Sequence, residues 1–386
     1  MVFQLDGRTP ETVTTTSVYT LDLGSGETVG LGSLPVNRDT CCPTEARYAA
    51  DRSRAFLIAA RYAGIVDVAK RNVAPIPRKV AGLYGAVSRQ GDRIAWVDEV
   101  TGTAETIVIT DAASGKNLRR LDLPTGAWFT EGILAWSPDD TSVVLQAEIP
   151  LKEAQTRPDP SIVLARFPAP IIACCTVDHG ITANHLLVVP VDGAPIHDLA
   201  DMAAEVASDL AAPAPTPPPG FVGGPGRVTR RYGDFVWSPD GRTIAVSDWA
   251  CGPGWRSREP QHPPCVTKLR TVDVATGAQS ILVDGSARMG SLSWSPDGQQ
   301  LAFIRESGPD GADAPGLYVI DRGGGTPSRL TDAETWATGW SPDGSWIVFA
   351  RINPAAPQGT DRIDMWATPL AGGAPRLVAE HAVAGW

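Results

Sequence analysis

Trp294-Ser295-Pro296-Asp297-Gly298 joins two apolar stretches, Met289 to Trp294 and Leu301 to Ile304, each with the alternation of a β-strand. Proline presets φ near −65° at the second position of a tight turn, aspartate bonds the local backbone, and glycine relieves the sterics where the chain re-enters the sheet. The pentapeptide is therefore a hairpin turn. Close copies stand at Trp136-Ser137-Pro138-Asp139-Asp140, Trp237-Ser238-Pro239-Asp240-Gly241 and Trp340-Ser341-Pro342-Asp343-Gly344, with weaker ones at Val87-Ser88-Arg89-Gln90-Gly91 and around Tyr48 to Arg52. Trp294 and Trp340 are 46 residues apart, as are Trp340 and Trp386. A period of that length marks a repeat architecture.

A second landmark counts the repeats independently. A short apolar run before a small-residue turn closes at Leu21-Asp22, Val66-Asp67, Thr110-Asp111, Val189-Pro190, Val272-Asp273, Ile320-Asp321 and Thr368-Pro369, which gives seven third strands. The 101 residues between Trp136 and Trp237 hide no further unit, because His185 to Gly193 matches a third strand and its turn. What remains is two insertions, at about 151–183 and 199–231. Met1-Val2-Phe3 reads as a second strand and Ala382 to Trp386 as a first strand, so the two ends are expected to complete one sheet and close a ring. The alternative is a fragment of a longer chain.

These turns and their spacing resemble the WD-like repeats of the TolB-like β-propeller family. The resemblance is strong over residues 130–386 and rests on strand pattern alone before that. It implies an all-β propeller of about seven four-stranded blades, with six or eight as alternatives, forming a single domain over 1–386. The family includes periplasmic envelope-complex proteins and accessory domains of prolyl-oligopeptidase-like peptidases. Such a spread leaves function to be argued from the site.

Composition narrows the partners. A net charge of −10 and a pI near 5.0 oppose nucleic acid or an anionic membrane, both of which require a basic surface. The longest apolar stretch, Ile162 to Cys175, is broken by Arg166, Pro168 and Pro170, so no transmembrane helix is expected. The first residues do not read as a secretory signal.

Little in the chain reads as catalytic. A serine hydrolase needs a Gly-x-Ser-x-Gly elbow followed by an acid and a histidine, and the sequence has no such segment. Wedge tryptophans and turn aspartates recur in each strong repeat, which marks them as scaffold. No cofactor is expected. Of the five histidines, His179, His262 and His381 fall in loops opening on one face and are weak metal candidates; scattered surface histidine is the simpler account.

Cys251 and Cys265 flank a Gly/Pro-rich loop between two strands of one hairpin. A disulfide there would be worth about 3 kcal/mol and would imply an oxidising compartment, which together with the family resemblance implies a periplasmic or secreted protein; two buried free thiols are the alternative. The pairing of Cys41, Cys42, Cys174 and Cys175 is left open. Residues 198–212 place Leu199, Met202, Val206 and Leu210 on one helical face, before a Pro-rich tract.

The turns joining strands one to two and three to four are short throughout, whereas 151–183, 250–266, 306–315 and 352–361 join strands two and three and 199–231 joins two blades. All the elaboration is expected on one face. Loops on a rigid scaffold concentrate binding residues. Trp249, Trp255, Arg256, Arg258, Arg230 and Arg231 are candidate anchors there, since tryptophan and arginine dominate interface hot spots, and Arg305 and Arg351 occupy equivalent strand ends nearby. The favoured function is a non-catalytic scaffold that binds a protein or peptide through this face. The alternatives are the substrate-gating propeller of a peptidase whose hydrolase domain lies outside this chain, and a metal-dependent lyase or hydrolase at the propeller channel. Oligomeric state is left open.

Overall fold

The computed structural model describes residues 2–384 apart from 7–14, 22–24, 26, 36–42, 49–53, 60–61, 69, 76–84, 99–104, 152–181, 212–228, 252–264, 307–313, 333–334, 353–362 and 380–381. Seven four-stranded antiparallel sheets succeed one another, each touching the next and the last touching the first. Blade 1 comprises Pro43–Tyr48, Arg54–Ala59, Tyr62–Asp67 and Asn72–Pro75, and blade 2 comprises Gly85–Val87, Arg93–Asp98, Thr106–Asp111 and Asn117–Asp122. Blade 3 is built from Trp128–Trp136, Ser142–Pro150, Thr182–Pro190 and His197–Asp201; blade 4 from Thr229–Trp237, Thr243–Cys251, Cys265–Asp273 and Gln279–Gly285. Met289–Trp294, Gln300–Arg305, Gly316–Asp321 and Ser328–Arg329 form blade 5; Trp336–Trp340, Trp346–Ile352, Ile363–Pro369 and Arg376–Ala379 form blade 6. In blade 7, Ala382–Ala384 pairs with Val2–Asp6, which is followed by Thr15–Leu21 and Thr28–Pro35. The register Val2 to Ala384, Phe3 to Val383 and Gln4 to Ala382 unites the two ends in one sheet, as the sequence predicts. The seven third strands end at or within a residue of the seven landmarks.

Position in the blade sets burial. From blade 2 to blade 6 the first strands pack against first strands of neighbouring blades, around the axis. Second and third strands are covered on both faces, so Leu301, Ala302 and Phe303 are fully buried in an unbroken apolar run. Fourth strands lie outermost, and Asn117–Asp122 is largely exposed. The core is thus a series of seams: one packs Ala245, Leu269 and Val283 of blade 4 against Trp294, Leu301 and Phe303 of blade 5.

The turn works as its residues dictate. Ser295 Oγ donates to Asp297 Oδ1 at 2.6 Å and accepts Gln300 N–H at 2.9 Å, while Asp297 Oδ1 also accepts Gln299 N–H at 3.0 Å. The other three strong copies repeat this pattern. Desolvation opposes these bonds at Asp240, where the Arg322 guanidinium adds to them, and the Asp240 and Asp343 carboxyls are held down at about 2. Gly241, Gly298 and Gly344 take φ of +70°, +68° and +72°. Asp140 stands at the same place with φ +58°, and its carboxylate accepts Arg89 and Gln90 N–H at 2.5 and 2.9 Å from the weak turn copy of blade 2. It clamps the irregular turn to a regular one.

One sequence expectation is corrected. The helix spans Ala203–Ala211 rather than 198–212, because His197–Asp201 is the fourth strand of blade 3. Leu199 is buried from that strand, and Asp201 Oδ1 accepts Ala203 N–H at 2.8 Å to cap the helix start. Apolar residues three and four apart look helical even when the strand takes the first of them. The segment between blades 3 and 4 accordingly runs from 202 to 228.

Candidate functional site

The antiparallel meander places the connections between second and third strands, and those between blades, on one face of the ring. Near that face the first strands of blades 3 to 6 each carry a register shift, at Phe129/Leu134, Tyr232/Phe235, Gly290/Ser293 and Trp336/Thr338. The bulged residues bond across the seams. Gln146 Nε2 donates to Gly233 O, Ser291 N–H donates to the Asp234 carboxylate, and Thr338 Oγ1 donates to Ser291 O at 2.6 Å. Ser291 takes φ +51° to make both contacts.

Asp234, Trp249, Arg288, Met289, Ile304 and Glu306 line a cavity of about 130 Å³ between blades 4 and 5. That is room for one side chain, since an apolar void of about 150 Å³ accepts benzene. The Arg288 guanidinium lies 5.8 Å from the Trp249 ring centroid, and Glu306 N–H donates to Arg288 O at 2.9 Å. A cation, two carboxylates and an indole therefore share one opening. Burial raises the Asp234 pKa, against the Ser291 amide and the Arg288 charge. A carboxyl raised on folding stabilises most below its unfolded pKa and loses that contribution as pH rises through its folded value. Asp234→Asn, which retains an acceptor for Ser291, is therefore expected to gain stability over the wild type at neutral pH and to lose the advantage near pH 3; urea midpoints across pH measure it, and a pH-independent difference contradicts the reading.

The structure places the predicted binding residues unevenly. Trp249 lines the cavity. Arg305 and Arg351 hold equivalent strand ends and lie over rings of their own blades, 4.8 Å from the Tyr318 centroid and 5.5 Å from that of Trp366. Arg230 makes two bonds to Asp209, at 2.5 and 3.1 Å, which ties the helix to blade 4. Exposed Arg231 reaches Glu148 at 4.0 Å. Trp255, Arg256, Arg258, His179, His262 and His381 lie outside the described residues. Asp234, Arg288 and Glu306 are not among the sequence candidates. The Gly233-Asp234 pair interrupting an apolar strand is a bulge signal that points to the first of them.

Among the described residues, one group offers metal-ligand atoms close together: His185, Asp198 and Asp201, within 4.8 Å of one another. Its bonds already serve the scaffold. His185 Nδ1 lies 2.7 Å from Asp198 Oδ2 across the third and fourth strands of blade 3, and Asp201 caps the helix.

No family model matches the chain. An uncharacterized peptidase, YuxL, of Bacillus subtilis is 36% identical over 78 residues, which is 20% of this chain and 11% of that protein. Among solved structures, an oligogalacturonate lyase of Vibrio parahaemolyticus is 11% identical, with 96% of this chain and 86% of that one covered at a TM-score of 0.58. The β-propeller domain of the trilobed protease of Pyrococcus furiosus is 10% identical, with 95% and 90% covered at 0.51. A TolB protein of Acinetobacter baumannii is 14% identical, with 87% and 67% covered at a TM-score of 0.40. At these identities the likeness concerns fold alone, and with the seven four-stranded sheets it makes the chain a seven-bladed β-propeller.

Proposed function

We propose that this chain is a non-catalytic scaffold, one domain over 1–386, that binds a protein or peptide through the face carrying the long connections. The observation that supports it most is the opening between blades 4 and 5, where Trp249, Arg288, Asp234 and Glu306 converge on a side-chain-sized cavity. Hot spots combine a pocket, an aromatic wall and charge in this way. The test compares affinity-purified complexes of the wild type, of Trp249→Ala/Arg288→Ala, and of a variant with 152–181 shortened, against Gln299→Ala on the short-turn face. A partner lost in the first two variants and kept in the last supports the reading; the reverse pattern defeats it.

A second reading is favoured by the sequence match to YuxL and by the fold shared with a protease's propeller domain: the chain gates substrate for a peptidase domain. A purified chain that binds peptides without cleaving them, together with a hydrolase domain encoded alongside it, would favour that reading.

We further propose that the protein works outside the reducing cytosol. No described helix is long and apolar enough to cross a membrane. Cys251 and Cys265 are direct partners in the antiparallel register of blade 4, and such partners have Cα atoms about 4.5–5.5 Å apart, within the span of a disulfide. Peptide mapping without reductant is expected to recover the two cysteines as one linked pair, and two alkylatable thiols in the folded protein would count against the bridge.

A further inference from the structure

Four wedge tryptophans hold one repeat position, and three of them donate Nε1–H to a carbonyl of the preceding blade: Trp136 to Ala86 at 2.9 Å, Trp294 to Val236 at 3.3 Å and Trp340 to Ser293 at 2.9 Å. The fourth, Trp237, is 8% exposed, and its buried Nε1 has no partner. Two of the bonded tryptophans are also covered by an arginine. Arg93, first in the second strand of the preceding blade, lies 5.1 Å from the Trp136 centroid. Arg322, which follows the third strand of its own blade, lies 5.6 Å from the Trp294 centroid and puts Nη1 2.8 Å from Asp240 Oδ2 in the preceding turn.

At the seam between blades 3 and 4 these two positions carry short side chains, Ser142 and Val274. Both line a cavity of about 350 Å³ on the short-turn face, together with Trp237, Asp139 and Asp240. Among its described lining residues Arg89 is the one cation; Asp139 is held below the usual range by turn hydrogen bonds that outweigh its desolvation, and Asp240 by its turn bonds together with Arg322. Ser137 and Thr141 direct their bonds to Oδ1 of Asp139, leaving Oδ2, the oxygen that Arg322 takes at Asp240.

We infer that this seam receives an arginine side chain from a peptide, stacked on Trp237 and paired with Asp139 as Arg322 is with Trp294 and Asp240. Guanidinium suits the place because it is planar, stacks on indole and bonds carboxylate directionally. The site lies on the face opposite the one proposed for the main partner and stands independently of that proposal.

The test follows the indole N–H resonances of ¹⁵N-Trp-labelled protein, with Trp237 assigned by Trp237→Phe, during titration with N-acetyl-arginine amide and its neutral isostere N-acetyl-citrulline amide. The arginine probe is expected to shift the Trp237 resonance and to bind at least about tenfold tighter than the citrulline probe, as a charge-assisted pair requires. Val274→Arg supplies the guanidinium in cis and should abolish the response with the thermal midpoint kept or raised. Asp139→Asn, which retains an acceptor for the turn, should weaken the response to the citrulline level. Equal response to both probes, no response to the arginine probe, or an undiminished response in either variant overturns the inference.

Discussion

Trp340→Ala is expected to destabilise the ring by about 3–5 kcal/mol, the usual range for removing a large aromatic from a packed interior. Trp340 is 9% exposed in the seam that joins Ala302, Ile304, Leu317 and Val319 of blade 5 to Ile347 and Phe349 of blade 6, so its loss opens a void between two blades at once. Trp340→Phe separates packing from bonding, because it keeps a ring but leaves the Ser293 carbonyl without the donor now at 2.9 Å. Trp237→Phe is the control, since the Trp237 indole makes no such bond. Denaturant midpoints should therefore fall further for Trp340→Phe than for Trp237→Phe, by about 1 kcal/mol in stability. Equal costs would mean that the inter-blade indole bonds contribute nothing.

Gly316→Ala should be nearly as damaging, at about 2–4 kcal/mol for a strained backbone combined with a steric clash. Gly316 opens the third strand of blade 5 with φ +149°, and a Cβ there would stand 2.4 Å from the Thr331 carbonyl oxygen. Neither neighbour can yield easily, because Leu317 N–H is fixed by Thr331 Oγ1 at 2.9 Å. Gly323→Ala in the next turn has an ordinary φ and no atom within 4 Å of its Cβ, so it should change stability by less than about 0.5 kcal/mol. If the two substitutions cost the same, the close approach at Gly316 does not constrain the blade.

The scaffold was legible because its information is local and repeated. Serine, proline and aspartate each perform a task within six residues of chain and tryptophan marks each copy, so four copies expose the turn, and seven strand ends expose the count. Where one repeat departs from the others, the reading weakened for physical reasons. Asp140 replaces a turn glycine because it bonds amides of another blade, a contact no local pattern encodes. Leu199 sits at helical spacing from Met202 yet belongs to a strand, since the sheet needed a fourth member. The candidate site was the least legible. Asp234, Arg288 and Glu306 come from two blades and meet only through the bulges of adjacent first strands, so their proximity is a property of the ring. Arg230 shows the converse: its residue type fits a hot spot, but its guanidinium is committed to Asp209.

The central claim, that partner recognition belongs to the long-connection face, is tested most directly by photo-crosslinking from single sites. A benzophenone amino acid at position 249 beside the cavity, and another at exposed position 299 on the short-turn face, would be irradiated in cells producing the protein. A discrete adduct from position 249 that position 299 does not give is the predicted result; a discrete adduct from position 299 alone would contradict the claim.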